Sequence, residues 1–351
     1  MAIYINGMGN ISPQKTWDES TLLSQPLVYQ GDQLKCHEPD YTKFIDPKQL
    51  RRMSRIIKMG VAAGSMALKE AGVTVPHGII TGTAYGCLED TGIFLNKLIE
   101  NNEYALNPTP FIQSTHNTIG SQIALLIQCQ GYNQTYTQGA FSFESSLLDA
   151  LLELQDFPAQ SLLVGGVDEI TSTSHAIQKR FGLFKNEMNN LELFNGNEKG
   201  TLNGEGAAYF VLAGEKKGDD AVCIEAVKTL YKPGDTELKK GIDEFLESAG
   251  IEASGIDLVL IGKSGDQKFD LKTNEITSTF FSSSSVGVFK HLCGEYPTAS
   301  AFALWLATRI IQENFMPEAI VVRNTNRPLK RLLIYNPYFG THHSLILLRA
   351  C

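Results

Sequence analysis

Few side chains in this sequence are both reactive in kind and placed where chemistry would use them. Six cysteines stand at 36, 87, 129, 223, 293 and 351, with no CxxC pair and no spacing that suits zinc. They read as free thiols in a reducing compartment. His342 and His343 are adjacent, but no further ligand joins them at a metal-binding spacing, so no metal is expected. A phosphate cradle of the GxxxxGK[ST] kind is absent, and no cofactor is expected. His116, in Ser114-Thr115-His116-Asn117-Thr118, reads as a polar wall residue rather than a base. Ser142, in Ala140-Phe141-Ser142-Phe143-Glu144, is faintly like a G-x-S-x-G elbow, with His291 as its candidate base. The elbow glycines are missing and no third group is identifiable.

The elements that would have to hold such groups are clearest between Gly131 and Glu169. Asn133 to Thr137 has strand character. Gln138-Gly139-Ala140 is a tight segment. A helix opens near Glu144, with Leu147, Leu148, Leu151, Leu152 and Leu154 forming a wide apolar stripe. Ser161 to Val164 is a second apolar strand, ending at Gly165-Gly166. Strand, sharp turn, helix and strand is a way to hold a nucleophile, because the helix N-terminus stabilises negative charge at the turn. The residue at this turn is Ala140, whose methyl group can do no chemistry.

At 351 residues and 43% hydrophobic content, the chain can bury a substantial core as one large or two ordinary domains. A net charge of −8 argues against nucleic-acid binding and against a polybasic membrane anchor. The N-terminus MAIYINGMGNISP lacks the pattern of a signal peptide, and the longest apolar run, 301–311, is too short to span a bilayer. A cytoplasmic protein is expected. Helices are expected from Leu50 to Ala71, Leu88 to Asn101, Asp235 to Ala249 and Thr298 to Asn314. Strands are expected at Ala2 to Ile5, His77 to Gly82, Tyr209 to Leu212, Val222 to Leu230, Asp257 to Ile261, Ala319 to Val322 and Ser344 to Leu348. Residues 14–48 and 185–200 read as irregular and polar.

Taken together these stretches resemble β-ketoacyl synthases of the thiolase superfamily. Residues 131–169 are similar to the family's strand, T-A-C-x-S-G turn, helix and G-G-x-E strand end. Arg51-Arg52-Met53 resembles its R-R-M segment. Phe111, Ser114, Asn117 and Gly120 fit its P-x-x-F, S, N, A-G stretch. Gly204-Glu205-Gly206-Ala207 matches its G-E-G-A signature. His291 and Gly294 are set against its K-x-x-x-G-H-x-x-G-A, and Phe339-Gly340-Thr341 against its N-x-F-G-F-G-G-T-N.

The resemblance implies an α/β, thiolase-like fold, layered αβαβα from two duplicated halves, here 1–217 and 218–351. The strand-to-glycine units 77–86 and 257–266 look like counterparts in those halves. A gap-free count puts the family's cysteine on Ala140 and its serine on Ser142. One family histidine falls on Gly262 or Lys263, the other on His291, and the family lysine on Val286. With cysteine, one histidine and lysine missing, the resemblance is closest to chain-length-factor-type partner subunits, especially those of aryl polyene or flexirubin-type polyketide systems. It implies pairing with a cysteine-bearing ketosynthase, or with itself, and work on chains carried by acyl carrier protein. Phe111, His116, Tyr136, Phe141, Ser142, Phe143 and Phe339 are the candidates for lining a pocket or the interface, which would run near 133–137. The competing expectations are a Ser142 acyltransferase, a malonyl decarboxylase with an atypical site, and an acyl-thioester-binding homodimer.

Overall fold

A computed structural model describes residues 2–17, 22–196 and 198–351. Parts of the polar stretches at 14–48 and 185–200, namely 18–21 and 197, lie outside the described residues. Eleven strands form one hydrogen-bonded sheet: β1 (Ile3–Ile11), β2 (Gly78–Gly82), β3 (Tyr132–Tyr136), β4 (Ser161–Asp168), β5 (Gly206–Ala213), β6 (Val222–Tyr231), β7 (Leu258–Ile261), β8 (Ser285–Val288), β9 (Val321–Arg323), β10 (Arg331–Tyr338) and β11 (His342–Ala350). Their order is β9-β8-β7-β10-β11-β6-β1-β5-β4-β2-β3. The main helices are α1 (Arg55–Ala71), α2 (Leu88–Glu100), α3 (Pro108–Gln113), α4 (Thr118–Ile127), α5 (Ser142–Asp156), α6 (Ser172–Arg180), α7 (Asp235–Ser248), α8 (Gln267–Phe280), α9 (Lys290–Cys293) and α10 (Ala299–Glu313).

The pairing repeats. In the first half β1 is antiparallel to β5, β5 antiparallel to β4, β4 parallel to β2 and β2 parallel to β3. In the second, β6 is antiparallel to β11, β11 antiparallel to β10, β10 parallel to β7 and β7 parallel to β8. The halves are joined where Ile3–Ile5 pairs antiparallel with Val222–Ile224. Strand alternation then makes three apolar layers. Ile79, Leu163 and Val211 face outward onto α1 and α4. Val259, Leu333 and Leu347 face outward onto α7 and α8. Ile80, Val164, Leu260, Ile334 and Ile346 face a shared middle layer that contains α5 and α10. Helices, sheet, helices, sheet, helices is the five-layer thiolase-like arrangement. Helix α10 suits its central place because it is apolar on nearly every side, with Ala299, Ala301, Ala303 and Ala307 allowing strands close on both faces.

Several local expectations are corrected. The long helix starts at Arg55, because Ser54 is its N-cap and Arg51 and Arg52 lie in a turn before it. Strand β4 runs on through Gly165 and Gly166 to Asp168, since the rings of Tyr209 and Phe143 pack where side chains would stand. Asn336-Pro337-Tyr338, for which no strand was expected, forms the end of strand β10. Pro337 is tolerated because β7 pairs with β10 only as far as Tyr335. Among the described residues no helix is long and apolar enough to cross a membrane.

Candidate functional site

The turn after β3 is built by its own side chains. Gly139 takes φ +59°, and Ser142 Oγ donates to the Gly139 carbonyl at 2.7 Å and accepts from the Gln138 amide at 2.9 Å. Gly82, at the end of β2, abuts this turn so closely that a Cβ there would lie 2.4 Å from the Ser142 carbonyl oxygen. Ala140 is buried at the turn's apex, before α5. Ser142 is fully buried and its hydroxyl is spent on the turn, so it is neither a pocket-lining group nor a poised nucleophile. Phe143 is likewise a core residue, packed on Phe210 and Gly166. Phe141 is half-buried, its ring 4.7 Å from that of His342.

Opposite this turn stands the end of β7. A Cβ on Gly262 would lie 2.3 Å from Asn336 Oδ1 and 3.0 Å from Lys290 Cε, so no larger side chain fits there. Lys290 is fully buried, and its Nζ donates to Glu295 Oε2 at 2.8 Å and to the Pro337 carbonyl at 2.8 Å. Burial pushes the Glu295 carboxyl up to about 7, with the Lys290 ammonium opposing the rise. Burial also lifts Glu144, on the first turn of α5, to about 6, opposed by the Ser300 and Ser344 hydroxyls and more weakly by Lys290. The region between the turn and β7 is therefore an internal ion-pair cluster.

A narrow cleft leads toward this cluster from outside. Tyr85, Asp168, Glu295, Tyr296, Tyr338 and Phe339 are among its walls, and its volume is about 20 Å³, room for roughly one water. Phe339 sits in the β10–β11 turn at φ +44°, its ring 4.7 Å from Tyr338. Asp168 fixes the inner wall. It accepts from the Ala84 and Tyr85 amides at 2.9 and 3.2 Å, from Thr83 Oγ1 at 3.1 Å and from Thr298 Oγ1 at 2.9 Å. Burial nonetheless raises its carboxyl to about 6.

The remaining expected residues stand apart. His291 Nε2 is 2.9 Å from the Ala319 carbonyl, and burial pushes the imidazole down to about 4, so it is neutral and directed away from the turn. Val286 lies within β8 in the outer apolar layer, where a lysine could not reach the cluster. Phe111 on α3 is 56% exposed and rests on Phe94, and His116 is exposed beside Gly86. Tyr136 is half-buried on β3, the outermost strand. The structure thus brings Ala140, Phe141 and Ser142 to one turn and Phe339 to the cleft, and leaves Phe111, His116 and Tyr136 outside. Sequence reasoning missed Lys290, Glu295, Asp168 and Asn336. The signal for the first two was present. Lys290-x-x-x-Gly294 satisfies the K-x-x-x-G spacing four residues after the register chosen above, and sets Glu295 where that pattern has histidine.

The G-E-G-A stretch has an electrostatic role as well as a steric one. Glu205 is fully buried, and its carboxylate receives both terminal nitrogens of Arg55, at 2.7 and 2.5 Å, and the amides of Cys36 and Ile170 at 2.7 and 2.8 Å.

Residues 5–218 match the profile of the β-ketoacyl synthase N-terminal domain. No curated protein matches the sequence. Among solved structures, the ishigamide ketosynthase/chain length factor superposes with a TM-score of 0.82 at 18% identity, covering 100% of this chain and 99% of that one. A β-ketoacyl synthase from Burkholderia phymatum STM815 gives 0.81 at 16%, with the same coverage. The ketosynthase ApeO in complex with its chain length factor ApeC, from Xenorhabdus doucetiae, gives 0.72 at 15%, covering 100% of this chain and 98% of that one.

Proposed function

Since this chain belongs to the β-ketoacyl synthase family, we propose that it is a non-catalytic, chain-length-factor-type subunit that pairs with a cysteine-bearing ketosynthase. Together they would extend chains on acyl carrier protein, in a polyketide or fatty-acid-type pathway of the aryl polyene kind. A decarboxylative condensation needs a thiolate to carry the acyl chain, donors for the enolate left by CO₂ loss, and an oxyanion hole. One observation carries the proposal: the turn presents the methyl group of Ala140, while the space beyond Gly262 is filled by Lys290 and Asn336. In our register the family cysteine corresponds to Ala140, the first histidine to Gly262, the lysine to Lys290 and the second histidine to Glu295. This replaces the earlier placement on Val286 and His291. We place the boundary between the halves at 217/218, in the exposed connection between β5 and β6.

The alternatives find less support. Ser142 is buried and bonded within its own turn. A malonyl decarboxylase would have to bring a third carboxylate beside Glu295 and Glu144. The test is intact mass spectrometry of the chain after incubation with acyl- and malonyl-loaded carrier protein, with a cysteine-bearing synthase as positive control. We expect no covalent adduct and no loss of CO₂ from the malonyl carrier. A stable acyl adduct would overturn the reading.

A further inference from the structure

Every lysine and arginine of this chain lies outside residues 98–178, although the sequence has 30 of them. The same stretch holds Glu100, Glu103, Glu144, Asp149, Glu153, Asp156, Asp168 and Glu169. Of these, Glu144, Asp168 and Glu169 are buried. The cation-free stretch supplies the outermost strand of the sheet and the helices on either side of it. Strand β3 ends the sheet with an unpaired edge. Helix α4 lies on one side of it, where Asn133 Nδ2 donates to the Gly120 carbonyl at 3.3 Å. Helix α5 lies on the other, where the Tyr132 hydroxyl bonds both oxygens of Asp149 at 3.2 and 3.0 Å. Along this face Leu125, Leu148 and Leu152 are exposed, at 71%, 36% and 62%. Helix α5 carries Asp149, Glu153 and Asp156 and no base, and His77 Nε2 lies 3.3 Å from Glu153 Oε1.

An open strand edge flanked by exposed leucines is built to be covered. Its charge decides by what. Pairing about a two-fold axis sets the same patch against itself. A second copy would then meet acids with acids and could supply no counter-charge. We propose that this face is selective for a different chain of the same fold, whose facing helix carries lysine or arginine, and disfavours self-pairing. The inference rests on the proposed edge-paired subunit and names its partner's chemistry.

The test uses the full chain and a variant, Gln155→Lys/Asp156→Lys. Both positions are exposed at the end of α5, and circular dichroism checks that the variant folds like the parent. Sedimentation equilibrium is measured at about 50 mM and about 500 mM NaCl, where screening weakens surface charge effects. We expect self-association of the parent to be weaker at the lower salt. An equimolar mixture of parent and variant should associate about tenfold more tightly than the parent alone at the lower salt, and lose that gain at the higher. A parent dimer that is tightest at the lower salt, or a mixture no tighter than the parent, overturns the proposal. Either result leaves the absence of a nucleophile untouched, because mass spectrometry measures that separately.

Discussion

Lys290 and Glu295 define what this site has become. Two opposite charges with no solvent exposure hold each other at 2.8 Å, and removing one partner strands the other. Lys290→Met should therefore lower stability by about 3–5 kcal/mol in chemical denaturation. Adding Glu295→Gln should recover part of that loss, because no charge is then left buried alone. Ala140→Cys should give a thiol but no elongation activity in a product assay with loaded carriers, since Gly262 offers no histidine. Gly262→His should unfold at lower temperature than the parent, because its first side-chain carbon would collide with Asn336 and Lys290. The acids also set a pH dependence. Burial pushes Glu169 up to about 8 from an ordinary 4.5, and Glu295, Asp168 and Glu144 are raised in the same sense. A raised acid is favoured protonated in the fold. Its stabilising contribution is complete below the unfolded value near 4.5 and is lost as pH climbs toward 8. The thermal midpoint should thus fall as pH rises from about 4.5 to about 8 and level off above that, and Glu169→Gln should flatten the fall. At this scale the turn was legible in the sequence, and the structure puts Ala140 within it. Lys290 was passed over, because His291 and Gly294 fitted the K-x-x-x-G-H-x-x-G-A pattern in a competing register.

Element by element, legibility followed the strength of the apolar pattern. Helix α10 and the strands β2 and β7 are apolar and buried along nearly their whole length. Helix α8 escaped because the residues it buries are Asp270, Thr273 and Ile276, too polar a stripe to register. Strand β10 was not drawn from the sequence, and its proline is tolerated because β7 pairs with β10 only as far as Tyr335. The free edge of β3 is the element on which the proposed assembly depends. Leu152→Lys should change the stability of the isolated chain by less than about 0.5 kcal/mol, since the side chain is already solvated. The same change should weaken capture of a cysteine-bearing partner synthase in a pull-down by about tenfold or more, because it would bury a charge at the interface. Unchanged capture would move the interface away from α5.

For the whole molecule, the five layers came from the family resemblance, while the junction between the halves came from neither resemblance nor local pattern. Nothing local marks Ile3–Ile5 as partner to Val222–Ile224, since the pairing spans most of the chain and forms only when both halves are in place. That junction is short, yet α10 presses on strands of both halves and has almost no exposed side. Neither half could shed the other without exposing the middle apolar layer. The connection between them, 215–220, is exposed and carries Lys216 and Lys217. Brief trypsin treatment should cut there first, and the two fragments should still co-elute on gel filtration under native conditions. If they do, this fold offers ready halves for a two-piece reporter: separately expressed fragments, each silent, whose reunion through a shared helix signals that whatever they are fused to has met.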